Sequence, residues 1–98
     1  MRKGILEYCI LAIISRNEVY ASDILETLKT AEIVVVEGTV YPLLTRMKNE
    51  GLLSYRWQES TGGPPRKYYS LTDDGRTLLN QLSNEWHSIC QAVNQITQ

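Results

Sequence analysis

The chain reads as a mainly α protein with a small β-hairpin. Apolar residues recur at helical spacing in four separate stretches. After Gly51 the pattern changes to strict alternation, broken once by the cluster Ser60-Thr61-Gly62-Gly63-Pro64-Pro65. The last stretch carries a continuous apolar stripe, Leu79, Leu82, Trp86, Ile89, Val93 and Ile96, with spacings that alternate between three and four. Ninety-eight residues, 43% of them hydrophobic and 21% charged, make one small globular domain rather than a disordered chain. A core of that size is only marginally self-sufficient, so oligomerisation is expected. The longest early apolar run, Tyr8–Ile14, is closed by Ser15 and Arg16 and is too short for a bilayer or a signal peptide. The expected location is the cytoplasm.

Ile5, Leu6, Cys9, Ile10, Ile13 and Ile14 mark a first helix that is apolar over much of its circumference, so it should be buried against more than one neighbour. Asn17 and Glu18 end it. A second helix spans about Tyr20–Lys29, with Ala21, Ile24, Leu25 and Leu28 inward and Ser22 and Asp23 suited to its first turn. The β-branched run Ile33-Val34-Val35-Val36 reads as an extended connection. A third helix follows over 37–50, with Val40, Leu43, Leu44 and Met47 inward, Gly38 placed before it, Pro42 in its first turn and Gly51 just past its end. Its outer face carries Thr39, Tyr41, Thr45, Arg46, Lys48 and Asn49, all able to donate hydrogen bonds to bases or phosphates. Beyond Gly51, Leu53, Tyr55 and Trp57 point one way, and after the breaker cluster Lys67, Tyr69 and Leu71 do the same, giving a hairpin. Trp57 is expected in its core against Tyr69. Thr72 then caps the last helix, whose first turn holds Asp73 and Asp74 at the positive end of the dipole.

The overall charge of -1 does not point to a polyanionic partner, but its distribution does. Residues 1–36, with Arg2 and Lys3 among their cations, net -1, and residues 72–98 net -2. Residues 37–71 carry Arg46, Lys48, Arg56, Arg66 and Lys67 against Glu37, Glu50 and Glu59, a net of +2 centred on the third helix and the hairpin. Cys9 and Cys90 lie on apolar helical faces with no metal-ligand spacing and read as buried thiols. The sole histidine, His87, has no ligand-spaced cysteine or carboxylate, and there is no phosphate-binding Gly loop or nucleophile elbow. Neither an enzyme nor a metal or cofactor protein is indicated.

Three helices followed by a hairpin with a Gly/Pro-rich tip is the order of a winged helix-turn-helix, here extended by a long C-terminal helix. The blocks Gly38-Thr39-Val40-Tyr41-Pro42-Leu43-Leu44, Gly51-Leu52-Leu53 and Gly63-Pro64-Pro65-Arg66-Lys67-Tyr68-Tyr69-Ser70-Leu71-Thr72 resemble the signature of the PadR-like bacterial transcriptional regulators. The resemblance runs from about Gly4 to Thr97 and is to the short branch, which lacks an extra C-terminal domain. It implies a DNA-binding unit over 1–71 and a dimerisation helix over 72–98. It also implies that the third helix reads operator DNA and that the hairpin, over 58–67, is the wing. Tyr20 and Ser22 join the expected DNA contacts on this resemblance, although Val19 stands before Tyr20 where many members have Gly. The wing adds Gly63, Arg66 and Lys67.

Among the third-helix candidates, Tyr41 is placed for a phosphate contact because the first turn of a helix offers free backbone N–H groups. Thr39 is a positioning contact, and Thr45, Arg46 and Lys48 lie nearer the bases. The C-terminal stripe of Leu79, Leu82, Trp86, Ile89, Val93 and Ile96 exceeds what so small a domain can cover, which favours a homodimer. Two third helices related by a two-fold axis would meet major grooves about 34 Å apart, so the operator should be roughly palindromic. Trp86 falls in the middle of the seam, where paired indoles either pack a solid core or flank a gap for a planar aromatic effector. The expected function is therefore that of a dimeric repressor. The competing reading is a winged-helix module that docks a protein and not DNA, and it predicts tolerance of salt and reliance on apolar anchors.

Overall fold

A computed structural model describes residues 4–98; Arg2 and Lys3, counted above in the N-terminal charge, lie outside them. The elements run α1 (Gly4–Arg16), β1 (Val19–Tyr20), α2 (Ala21–Thr30), α3 (Glu37–Asn49), β2 (Leu53–Ser60), β3 (Gly63–Leu71) and α4 (Asp73–Thr97). Glu7 near the start of α1 and Arg16 at its end complement the helix dipole, and Ile10, Leu11 and Ile14 are buried. The helix packs on α2, α4 and β3 at once, which is why so much of its circumference is apolar.

Helices α2 and α3 end in the same way. Glu32 and Gly51 both take left-handed backbone, with φ of 63° and 81°. The N–H groups of Glu32 and Ile33 donate to the carbonyls of Lys29 and Leu28, and those of Gly51 and Leu52 donate to Lys48 and Met47, which satisfies the last helical acceptors. At Gly51 this costs nothing; at Glu32 a side chain occupies a conformation that L residues avoid. The start of α3 differs from the sequence reading. Val36 takes the extended capping position, so Gly38 and Pro42 both fall inside the helix and Pro42 lies beyond the first turn. Proline has no N–H, so the Gly38 carbonyl receives no helical bond from it.

The hairpin has the expected register, Leu53 opposite Leu71, Tyr55 opposite Tyr69 and Trp57 opposite Lys67. Its strands reach further than the breaker cluster suggests: only Thr61 and Gly62 form the turn, with Gly62 at φ 75°. Pro64 and Pro65 lie within β3, where the register slips between Gln58 and Ser60. A bulge is the expected result where a strand cannot donate to its partner, and the Ser60 hydroxyl donates instead to the Pro64 carbonyl at 2.8 Å. The sequence reading also lacked a strand. Val19 and Tyr20 pair with Tyr69 and Tyr68, giving a sheet of order β1-β3-β2 with β3 in the middle.

The start of α4 is locked to the end of α3. Thr72 Oγ1 accepts the Gly75 N–H at 3.0 Å and donates to the Gly51 carbonyl at 2.6 Å, while the Thr72 N–H donates to Leu52 at 3.2 Å. At Gly75 the chains touch so closely that a Cβ would stand 2.1 Å from the Leu52 carbonyl oxygen. Within α4 the stripe divides. Leu82 belongs to the chain's own core and Leu79 packs against it, so they are core residues before they are anything else. From Trp86 onward the helix projects, and the molecule is 55 Å long but only 28 by 21 Å across. Cys9 and Cys90 are half-buried, a correction to the expectation of full burial: Cys9 packs at the margin of the core, where burial pushes its thiol pKa up.

Three substitutions test these joints. Gly75→Ala should destabilise the fold by about 1–3 kcal/mol, the usual cost of forcing atoms into a closed contact, whereas Gly38→Ala, which meets open space, should be neutral or slightly stabilising. Glu32→Gly should raise stability by roughly 1 kcal/mol by relieving the left-handed position. Urea denaturation of the three variants against the parent measures all of these differences.

Candidate nucleic-acid interface

Exposed polar groups gather where α2, α3 and β3 meet. Because β1 pairs only with Tyr68 and Tyr69, the edge of β3 at Arg66 and Lys67 is left open. The first turn of α2 and the middle of α3 stand opposite it. Between them lies a cleft of about 360 Å³, lined by Tyr20, Ala21, Ser22, Tyr41, Thr45, Trp57, Arg66, Lys67 and Tyr69. Six of the ten expected DNA contacts, Tyr20, Ser22, Tyr41, Thr45, Arg66 and Lys67, are therefore neighbours in space.

Each is held by a local cause. The Arg66 guanidinium carbon lies 3.8 Å above the centre of the Tyr20 ring, and the guanidinium donates to the Ser22 hydroxyl. Tyr20 in turn packs on Tyr68 with ring centres 4.7 Å apart, and Arg56 covers Tyr68 while pairing with Glu18 at 3.3 Å. This stack of two rings between two cations fixes the wing to the start of α2. On the other face Lys67 Nζ sits 4.7 Å from the centre of the Tyr55 ring, and Lys48 Nζ approaches the same ring at 5.7 Å. Lys48 thus borders the cleft without lining it. The Thr45 hydroxyl donates back to the Tyr41 carbonyl at 3.2 Å, which leaves its oxygen free to accept. Tyr69, at the floor, is buried, and that burial foremost, with Tyr55 and Tyr41 beside it, raises its phenol pKa.

Other candidates lie elsewhere. Gly63 opens β3 at the wing tip, away from the cleft. Thr39 is exposed on the first turn of α3 and does not line it. Arg46 is engaged by its own protein, reaching Glu7 of α1 at 3.1 Å and Glu50 at 3.1 Å. Glu7 is 13% exposed, so this guanidinium ties α3 to α1 and does not extend freely from the outer face. Tyr41 stands past the first turn of the longer helix, so the free N–H groups invoked for it belong to residues before it. Arg46 and Arg56 are both neutralised, whereas among the described residues Lys48, Arg66 and Lys67 have no carboxylate partner.

The sequence reading missed Trp57. It is 61% exposed, not core, and packs edge-on to Tyr55 at 5.7 Å while lining the cleft. Its place in an alternating apolar row signalled burial, but the outer half of the hairpin extends past the body that buries Leu53 and Tyr69. On α4, His87 Nδ1 lies 2.8 Å from the Ser83 carbonyl, one turn back in its own helix. Among the described residues no cluster suited to a metal occurs, and no helix is long and apolar enough to cross a membrane.

A helix pair beneath a three-stranded sheet whose hairpin extends beside the second helix defines a winged helix-turn-helix protein. The model of the transcriptional regulator PadR-like family matches residues 10–81, and the chain belongs to that family. A PadR-like transcription factor from Bacteroides fragilis is 56% identical, with 98% of this chain and 93% of that one covered and a TM-score of 0.85. A PadR-like transcriptional regulator from Bacillus cereus is 41% identical over 100% and 96% of the two chains, with a TM-score of 0.86. PadR of Bacillus subtilis, solved in complex with operator DNA, is 26% identical over 80% of this chain and 46% of its own, with a TM-score of 0.72. Regulators of this family are DNA-binding proteins, not enzymes.

The Arg46–Glu7 pair gives a test of its structural role. A double-mutant cycle of Arg46→Ala and Glu7→Ala, read by urea denaturation, should return a coupling of roughly 0.5–1 kcal/mol, as for partly exposed ion pairs, that shrinks at high salt. Additive effects would show that Arg46 is free for another partner.

Proposed function

We propose that this chain is a dimeric repressor that binds a roughly palindromic operator through α3 and the wing. The observation that carries the reading is the convergence of Tyr20, Ser22, Tyr41, Thr45, Arg66 and Lys67 on one cleft beside α3, bordered by cations that no carboxylate neutralises. Phosphates supply the negative charge that Lys48, Arg66 and Lys67 lack, and Ser22 and Tyr41 supply neutral donors around them. Gly63 brings the wing tip toward the adjoining minor groove. The likeness to a PadR solved with operator DNA supports the same partner. The charge distribution favours it over a protein partner, because the cleft is bordered by unpaired cations rather than by a broad apolar anchor site.

Dimerisation rests on the outer half of α4. Trp86, Ile89, Val93 and Ile96 are 36%, 39%, 49% and 82% exposed and share one face. Burying the surface each still exposes against a second copy contributes at roughly 25 cal/mol per Å² before the cost of association. Leu79 and Leu82 extend the same stripe into the core, so the seam joins the dimer to the DNA-binding body. Trp86 sits where that core gives way to the projecting helix, the place for a planar aromatic effector between two copies. Such a ligand releases the operator only by binding the DNA-incompetent dimer more tightly. The site of action is the cytoplasm, with the operator.

The three unpaired cations at the cleft make six in the dimer, so affinity for the operator should fall with salt with a log–log slope of about -5. A gel shift with the duplex immediately upstream of the protein's own gene, repeated over several salt concentrations, measures it. Arg66→Ala should reduce the slope by about two, one for each protomer, and no retained complex at low salt overturns the reading. Val93→Glu, at an exposed position, should leave the fold intact but yield monomers in sedimentation equilibrium and weaken DNA binding. Trp86 fluorescence that is unmoved by a panel of planar cationic and phenolic compounds removes the effector from the proposal.

A further inference from the structure

Trp57 is not part of the hydrophobic core. It lies on the hairpin beyond the core, at 61% exposure, with the edge of Tyr55 and the Lys67 ammonium beside it. An indole left this open is costly in water, and here it lies between two charged elements. On one side it lines the cleft with Tyr41, Thr45 and Arg66; on the other it walls a shallow apolar hollow of about 450 Å³ with Glu59, Pro64 and Pro65. Its cross-strand neighbour is Lys67, whose Nζ lies 5.7 Å from the indole centre. We propose that Trp57 is a DNA-contacting residue that packs its indole on the deoxyribose face of the operator strand running from α3 to the wing.

The inference rests on the DNA reading above and names a contact within it. A strand whose phosphates engage Arg66 and Lys67 while its bases face α3 must pass over the surface between these elements, and Trp57 occupies that surface. Sugar rings present C–H groups between successive phosphates, so an apolar plate flanked by cations matches the alternation of the backbone. Glu59, on the outer side of the hollow, repels phosphate and limits the strand to the side of Lys67. The contact is independent of sequence and carries no charge. It adds affinity and fixes the angle of the wing without contributing to counterion release.

The test uses the full-length protein and a labelled duplex from immediately upstream of its own gene. Fluorescence anisotropy of the label reports binding, and acrylamide quenching of the protein reports tryptophan exposure. Binding of the duplex should protect a tryptophan in the parent, and Trp57→Phe, which keeps Trp86, should abolish that protection. Trp57→Ala should weaken binding about tenfold, the scale of an aromatic contact with nucleic acid, with the salt slope unchanged. Arg66→Ala changes that slope and separates the two kinds of contact. Binding of the duplex with no change in quenching, and with Trp57→Ala within about twofold of the parent, overturns the assignment of Trp57 alone. No anisotropy change at low salt overturns the DNA reading and the contact with it.

Discussion

The approach of Gly75 to Leu52 is the constraint on which the arrangement depends. One missing side chain allows the first turn of α4 to rest on the carbonyl that follows α3, and Thr72 binds both sides of the joint. Three directions are set there together: the exit of α3, the start of β2 and the axis of α4. The hydrogen bonds around Thr72 satisfy main-chain groups that three chain ends would otherwise leave without partners. The wing therefore leaves the body at an angle fixed by main chain, and the long helix leaves it at another.

Around that joint the protein spends its charged groups in two ways. Arg46 and Arg56 serve the protein itself, joining α3 to α1 and the hairpin to the end of α1 through Glu7 and Glu18. Lys48, Arg66 and Lys67 are steadied by aromatic rings instead of carboxylates. A ring orients a cation without cancelling its charge, so the field of those three groups remains available to a polyanion. The distinction makes a chain with net charge -1 compatible with a positive working face.

What was legible in the sequence was what is decided locally. Helical spacing, the glycine that ends α3, the Thr72 cap and the hairpin alternation depend on residues a few positions apart, and each is found as read. The larger misplacements share a non-local origin. Val19 and Tyr20 form a strand only because Tyr68 and Tyr69 come beside them. Arg46 is paired at the surface because α1 brings Glu7 to it, and Trp57 is exposed because the body ends before the hairpin does. Leu79 and Leu82 carry the same heptad signature as the residues after them, yet α1 and the core reach only the first of the pattern. Most of the cleft was nameable in advance, but only as separate residues; their convergence on the open edge of β3 required the third strand.

The two prolines of β3 have a consequence for how the protein behaves at concentration. Beyond Tyr68 the central strand has no neighbour on one side, and an open strand edge is a template for pairing with another chain. Successive N–H groups of a strand point to opposite edges, so one of Pro64 and Pro65 removes a donor from the open edge and the other from the side facing β2, where the bulge bends β2 away from a flat ribbon. The hairpin can stay long and extended without offering the continuous ladder through which strands of separate molecules join into aggregates.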